Sequence, residues 1–413
     1  MKYGLIGEHL SHSFSKEIHS MLADYNYELC ELSPSALDEF MKKREFSAIN
    51  VTIPYKEKVI PYLYSVDPLA QMIGAVNTVV NKDGLLYGYN TDFYGMSEIV
   101  RRNRFVFEGA KVLILGSGGT SNTAFAVSRH LGASSVIKVS RSPKGDSVSY
   151  NDAVLYHSDA DFIINTTPVG MFPEINALPI SLDSFKNLKG VIDAIYNPIR
   201  TRLVSEAKKR GINAEGGFYM LVAQAVKACE LFLSKDFSHE TIEKAYKKIV
   251  EEKENIVLIG MPGSGKTTLG KMLAECLTRS FLDTDEEIKN TYKREISESI
   301  SSDGEEVFRD YESLVVRRAS AVTSTVISTG GGAILRKENL EALKMNGKIV
   351  FIDRHPDLIM PTSDRPLSSD RASLYKRYNE RIELYRAAAD VIIDGNGSLA
   401  EVFERIIKGV YGK

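Results

Sequence analysis

The chain has no tryptophan and three cysteines in 413 residues. Cys30, Cys229 and Cys276 stand far apart with no CxxC or paired spacing. That removes a disulfide framework and a structural zinc site, and it fits a reducing, cytoplasmic setting. Long apolar runs are missing too: nothing approaches the roughly 18 consecutive apolar residues of a membrane span. The opening MKYGLIGEHL reads as a strand into a turn, without the basic head and apolar run of a secretory leader, so none is expected. Neither sign of charge is in excess, with 52 Lys+Arg against 54 Asp+Glu. That balance argues against indiscriminate binding to nucleic acid or an anionic membrane, and leaves room for local phosphate pockets. Internal repeats and low-complexity tracts are absent. What is present suits a folded chain, with 43% hydrophobic and 26% charged residues. At about 100–200 residues per domain, the length predicts two or three domains.

Short Val/Ile-rich runs alternate with amphipathic stretches. KVLILG (111–116), SVIKVS (135–140), DFIIN (161–165) and GVIDAI (190–195) are too short for helices and read as buried parallel strands. Helical patterns such as Thr201–Arg210 lie between them, which points to an α/β architecture with covered sheets. Residues 2–92 alternate in the same way and include a hairpin, AVNTVVNKDGLLYGYN, turning at Lys82-Asp83-Gly84. A second series begins near 255 with NIVLIG, SFLDTD, TVISTG, KIVFID and DVIID. The join KKIVEEKEN lacks Gly, Pro and Ser and reads as a helix running straight into a new domain's first strand.

In the second series, Gly260-Met261-Pro262-Gly263-Ser264-Gly265-Lys266-Thr267 fits G-x-x-x-x-G-K-[ST], after a strand and opening a helix. The glycines let backbone N–H groups wrap phosphates, Lys266 reaches their β/γ oxygens, and the Thr267 hydroxyl suits Mg²⁺. The next strand ends in Asp283-Thr284-Asp285. Alternate residues share a face, so one carboxylate can serve the metal and the other a substrate hydroxyl. A solvated strand end is the plain alternative. Gly330-Gly331-Gly332 follows the strand TVIST and permits close backbone approach to a ligand.

In the first series, KVLILG runs into Gly116-Ser117-Gly118-Gly119 and a helix, a phosphate turn of dinucleotide type. An NAD site expects an acid at the end of the next strand; here Ser140-Arg141-Ser142 stands there, with Lys144 nearby. A cation in place of the acid favours NADP over NAD, with an ordinary loop arginine as the alternative. Ser13 or Ser15 reads as a helix N-cap, Lys56 as a solvated lysine, and Asp92 as the cap of FYGMSEIVRR. Composition does not choose between these and functional roles.

Two family resemblances do. The P-loop, FLDTDEEI, GEEVFR, TGGG and DRPL, in this order over 255–413, resemble shikimate kinase. HSFS, INVTIPYKE, GAVNT, GYNTD, GSGGTS, NTTPVGM, DAIYNP and GGFYMLVAQA, in order over 11–226, resemble shikimate dehydrogenase. The pair implies a bifunctional enzyme: NADPH reduces 3-dehydroshikimate to shikimate, and ATP with Mg²⁺ phosphorylates it at the 3-hydroxyl. The alternative is an active dehydrogenase carrying a degenerate or regulatory kinase-like domain. The implied fold is a two-lobed dehydrogenase followed by a P-loop kinase domain with a parallel sheet. Its substrate lobe would span 1–100, completed by helices in 217–250. A Rossmann-like NADP lobe would span 101–216, and the kinase domain 254–413.

The dehydrogenase resemblance implies Lys56 and Asp92 as the catalytic pair. It implies Ser13, Ser15, Thr52, Asn77, Asn90, Tyr196 and Gln224 around the substrate. Gly116, Gly118, Gly119, Ser140, Arg141, Gly217 and Met220 would hold NADP. The kinase resemblance implies Gly263, Ser264, Gly265, Lys266, Thr267, Thr268 and Arg365 around ATP, and Thr267 with Asp283 at the metal. Asp285, Arg309, Gly331, Gly332 and Arg381 would hold shikimate, with Asp285 as base and the two arginines gripping the carboxylate. The sequence departs from the kinase pattern at Met360-Pro361-Thr362-Ser363 and Ser368, where a shortened lid is expected, and from the dehydrogenase pattern at Lys16.

Overall fold

The computed structural model describes residues 1–10, 13–296, 298, 302, 304–359 and 371–412. It divides into two compact units, Met1–Val250 and Glu251–Lys413.

The first unit holds two sheets. One contains β1 (Tyr3–Gly7), β2 (Tyr27–Glu31), β3 (Ala48–Val51), β4 (Ser65–Val66), β5 (Thr78–Lys82) and β6 (Leu85–Tyr89), in the order β2-β1-β3-β5-β6-β4. β2, β1 and β3 are parallel, and β5 reverses against both β3 and β6. The β5–β6 hairpin pairs Lys82 with Leu85 across Asp83 and Gly84. Both turn residues have positive φ, 52° and 84°, the geometry a two-residue hairpin loop requires. The other sheet contains β7 (Lys111–Leu115), β8 (Ser135–Val139), β9 (Phe162–Asn165), β10 (Gly190–Asp193) and β11 (Asn213–Glu215), all parallel, in the order β11-β10-β9-β7-β8. Strands β8 and β9 flank β7 on opposite sides, the reversal of strand order at which an open parallel sheet takes its ligand.

Two helices of this unit, Thr91–Arg102 and Gly217–Leu233, pack closely. Gly95 makes this possible, because a Cβ there would stand 2.6 Å from the carbonyl oxygen of Met220. The pairing brings residues distant in sequence beside the end of the first sheet.

The second unit has one parallel sheet of β12 (Asn255–Ile259), β13 (Ser280–Asp283), β14 (Thr325–Ser328), β15 (Gly347–Asp353) and β16 (Val391–Asp394), in the order β13-β14-β12-β15-β16. Alternation of side chains feeds two cores. Val257, Ile259, Ile327, Ile349 and Phe351 join one. Ile256, Leu258, Val326, Val350 and Ile352 join the other. Both faces are therefore covered, which is why these strands read as unbroken apolar runs. β12 is central, so the turn leaving it sits mid-sheet. The helix His239–Lys253 ends one residue before β12 begins. Among the described residues, no helix is long and apolar enough to cross a membrane.

Candidate functional sites

In the first unit, Lys56 lies in a turn after β3, and its Nζ donates to Asp92 Oδ2 at 2.6 Å. Asp92 is not the helix cap. Asn90 takes that place, its Oδ1 accepting from the Phe93 N–H at 3.2 Å, which leaves the Asp92 carboxylate for the lysine. The pair is partly sheltered, with side chains 21% and 14% exposed. Such shelter strengthens an ion pair while leaving it open to a ligand.

The further expected residues of this unit have the following settings. Asn77 and Asn90 are buried. Asn90 Nδ2 donates to the Ala75 carbonyl at 2.9 Å. Gln224 is reached through the Thr91 hydroxyl, which donates to its Oε1 at 3.2 Å. Ser13 Oγ donates to Ser15 Oγ at 3.1 Å and also accepts from the Ser15 N–H. Ser15 opens the helix Ser15–Leu22, whose cap position is Phe14. Thr52 pairs its N–H with the Ile6 carbonyl beside β1. Tyr196 sits edge-on to Phe14 at 5.8 Å.

The phosphate turn after β7 places Gly116 at φ 115°, where a Cβ would meet Thr166 Oγ1 at 2.6 Å. Gly118 and Gly119 open the helix Gly119–His130, and a Cβ on either would meet nothing within 4 Å. Open space over an uncapped helix N-terminus fits the pyrophosphate of a dinucleotide. Ser140 and the exposed Arg141 follow β8 directly. Gly217 starts its helix with its N–H on the Ile195 carbonyl, and Met220 is buried one turn on.

In the second unit, Gly263 and Gly265 have φ of 82° and 96°, which only glycine adopts readily. Lys266 lies buried over the turn and donates to the carbonyls of Gly260 and Met261 at 3.0 and 2.9 Å. Ser264 carries a buried hydroxyl with no hydrogen-bond partner. An orphaned donor inside a glycine-rich turn fits a phosphate oxygen. Thr268 is exposed on the first turn of the helix Lys266–Leu277.

Thr267 Oγ1 donates to Asp283 Oδ2 at 2.7 Å, while Asp283 Oδ1 caps the helix Thr284–Tyr292 by accepting from the Asp285 and Glu286 N–H groups. One hydroxyl and one carboxylate are the hard oxygen donors that Mg²⁺ takes alongside nucleotide phosphates. The described residues hold no cluster of three or more His, Cys, Asp or Glu suited to a metal. A cleft of about 680 Å³ opens on Thr267, Asp283 and Asp285. The Asp285 carboxyl is pushed up to about 6, chiefly by burial and then by Asp283 and Glu312.

Arg309 and Arg381 are not surface residues. Both are buried, which a charge-rich helix pattern did not suggest. Arg309 donates to Glu312 Oε2 at 2.8 Å and to Glu305 Oε1 at 3.0 Å. Arg381 donates to the Gly331 carbonyl at 3.2 Å, which also accepts from the Tyr385 hydroxyl. Gly332 abuts the Arg309 guanidinium, and a Cβ on Gly331 would meet Pro262 Cδ at 2.7 Å. The triple glycine therefore stands between the arginines and the phosphate turn. Arg365 and the altered lid lie outside the described residues, as does His12 of the HSFS motif.

Sequence reasoning missed three buried polar groups. Glu312 is 1% exposed beside Arg309, and its signal was the i,i+3 spacing in GEEVFRDYE. Thr78 and Thr91 are buried neighbours of Asn77. They carried no signal beyond the motifs GAVNT and GYNTD that contain them.

Residues 5–79 match the family model for the shikimate dehydrogenase substrate binding domain, and residues 262–411 match that for shikimate kinase. An NADP(+) shikimate dehydrogenase of Clostridium beijerinckii is 36% identical over 259 residues, covering 59% of this chain and 96% of its own. A chorismate mutase/shikimate 5-dehydrogenase fusion protein from Clostridium acetobutylicum is similar in structure, with TM-score 0.57 and 30% identity over 60% of this chain and 97% of that one. Shikimate 5-dehydrogenase from Thermus thermophilus, solved with NADP(H) and shikimate, gives TM-score 0.55 at 28% identity, covering 60% and 99%.

Proposed function

The chain belongs to the shikimate dehydrogenase family and carries a shikimate kinase domain at its C-terminal end, and on that premise we propose how one polypeptide runs both reactions. The first site reduces 3-dehydroshikimate to shikimate with NADPH, and the second phosphorylates shikimate with ATP and Mg²⁺. We assign the ring-binding lobe to residues 1–100 with the helices of 217–250, the NADP lobe to 101–216, and the kinase to 254–413. The observation that carries the reading is the Lys56–Asp92 pair at 2.6 Å, in a chain whose Lys266, Thr267 and Asp283 also meet at a phosphate turn.

NADPH, when bound, supplies the hydride, and ATP with Mg²⁺ supplies the phosphoryl group. At the first site, charge develops on the carbonyl oxygen of the substrate. The Lys56 ammonium stabilises that charge and donates a proton to it, while Asp92 keeps the ammonium aimed. Ser13, Ser15, Thr52, Asn77, Asn90, Tyr196 and Gln224 surround the ring and its carboxylate. Gly116, Gly118 and Gly119 take the pyrophosphate and Arg141 the 2′-phosphate, with Ser140, Gly217 and Met220 beside the cofactor.

At the second site, Gly263 to Thr268 cradle the nucleotide, and Thr267 with Asp283 hold the metal. Asp285 orients the attacking hydroxyl and takes its proton. Arg309 and Arg381 grip the carboxylate beside Gly331 and Gly332. Two arginines on a carboxylate select an acid over a neutral polyol at this second site. The setting is cytoplasmic, in keeping with unpaired Cys30, Cys229 and Cys276.

Incubating the full chain with 3-dehydroshikimate, NADPH, ATP and Mg²⁺ tests both halves. Shikimate should appear first and its phosphate ester should follow. Accumulation of shikimate with no ATP consumed would leave a dehydrogenase with a degenerate kinase domain. Absence of shikimate would overturn the first assignment.

A further inference from the structure

Beneath the first site runs a network of buried hydrogen bonds whose amide ends are fixed by backbone groups. Three side-chain amides belong to it, and each is anchored. Asn50 Nδ2 donates to the Asn77 carbonyl at 3.4 Å. Asn77 Oδ1 accepts from the Thr91 N–H at 2.7 Å. Gln224 Nε2 donates to the Leu221 carbonyl at 3.0 Å. Oxygen and nitrogen ends are thereby distinguished in all three.

The two threonine hydroxyls lie among these amides, 3.2 Å from each other, and each has at least two acceptors within reach. Tyr27 donates to Asn50 Oδ1 at 2.7 Å, and Asn50 Nδ2 donates to Thr78 Oγ1 at 3.0 Å. Thr78 has a single proton, with Asn77 Oδ1 at 3.1 Å and Thr91 Oγ1 at 3.2 Å as its acceptors. Asn77 Nδ2 donates to Thr91 Oγ1 at 3.1 Å, and the Thr91 hydroxyl has Gln224 Oε1 and Asn77 Oδ1 as acceptors, both at 3.2 Å. Each amide nitrogen of Asn77 and Gln224 keeps one N–H beyond this chain. Thr78 is completely buried, Tyr27 and Thr91 are 2% exposed, and Asn50 is 5% exposed. A sequestered chain of this kind polarises along its length and resists rearrangement.

We propose that Thr78, supported from behind by Tyr27, is a positioning residue that orients Asn77 and, through Thr91, Gln224 toward the hydroxyls of the ring. The proposal rests on the reading of this cleft as the dehydroshikimate site. Neither Thr78 nor Tyr27 is needed for the proton transfer itself. Loss of the Thr78 hydroxyl leaves one N–H of Asn50 Nδ2 without its acceptor and takes a donor from Asn77 Oδ1, so the Asn77 amide is held less firmly, through Thr91. Ring binding should suffer while binding of the cofactor does not.

The test is steady-state kinetics on the full chain, wild type beside Thr78→Val, Thr78→Ser, Tyr27→Phe and the Tyr27→Phe/Thr78→Val double variant. Thr78→Val should raise KM for 3-dehydroshikimate about 10- to 100-fold, because a buried amide loses its partner. KM for NADPH should stay within about twofold, and Thr78→Ser should return KM for the ring to within about threefold of wild type. Tyr27→Phe should raise the same KM by less, and the double variant should fall short of the product of the single effects, since both act on one chain. A wild-type KM in Thr78→Val, a serine variant as impaired as the valine one, or effects that multiply would each overturn the proposal. If Thr78→Val does not fold, an unchanged KM in Tyr27→Phe overturns it. A wild-type chain inert toward 3-dehydroshikimate would instead remove the functional reading on which it stands.

Discussion

Lys56→Met removes an ammonium and keeps most of the side-chain length. In the native structure that ammonium sits 2.6 Å from Asp92 Oδ2, with both side chains mostly screened from water. Two contributions disappear together. Proton delivery by a positioned acid is worth about 10²–10⁴ in rate. A fixed donor facing a developing oxyanion is worth about 10²–10³. One group supplies both, so the losses overlap, and kcat should fall by about 10³–10⁴ rather than by their product. KM for 3-dehydroshikimate should change far less, because Ser13, Asn77 and Gln224 remain. The assay is NADPH consumption driven by 3-dehydroshikimate, with shikimate-dependent ATP turnover measured on the same preparation. That second activity should be unaltered. A kcat within about tenfold of wild type would refute the assignment of Lys56 as proton donor.

Gly95→Ala should lower stability by about 1–3 kcal/mol, because its Cβ would meet the Met220 carbonyl at 2.6 Å between two packed helices; an unchanged denaturant midpoint would contradict this. Arg141→Ala should reduce the preference for NADPH over NADH by about 10- to 100-fold by removing a charged partner for the 2′-phosphate, read as the ratio of kcat/KM for the two cofactors. Asp193 is buried, and its carboxyl is raised from 3.8 to about 7 chiefly by that burial. The folded state thus keeps a proton that the unfolded chain releases, so Asp193 makes stability fall as pH rises from about 4 to about 7 and level off above. Asp193→Asn should flatten the denaturant midpoint across that window, and a slope equal to wild type would refute it.

The phosphate turns and the sheets were legible because they are local. A central strand announces itself by its Val and Ile, and a positive-φ turn by its glycines, within a few residues. The strands at 111–115, 190–193 and 255–259 and the hairpin at Asp83-Gly84 fall where the periodicity put them. Side-chain roles were less legible, since they depend on partners far along the chain. Asp92 read equally as a helix cap until Asn90 was found in that position. Arg309 and Arg381 sit in charge-rich stretches, and only packing against Gly332 and Gly331 distinguishes them from solvated arginines. Thr78 carried no local signal beyond the GAVNT motif, because its meaning lies in Asn50, Asn77 and Thr91 around it.

The two oxygens of Asp283 face different tasks. Oδ1 begins the helix that bears Asp285, and Oδ2 holds the Thr267 hydroxyl on the neighbouring helix. A glutamate has the same charge but one more methylene, so it could not satisfy both at once. Any drift in that carboxylate displaces the Thr267 hydroxyl and the start of the Asp285 helix together, so an error in one half of the pocket is transmitted to the other.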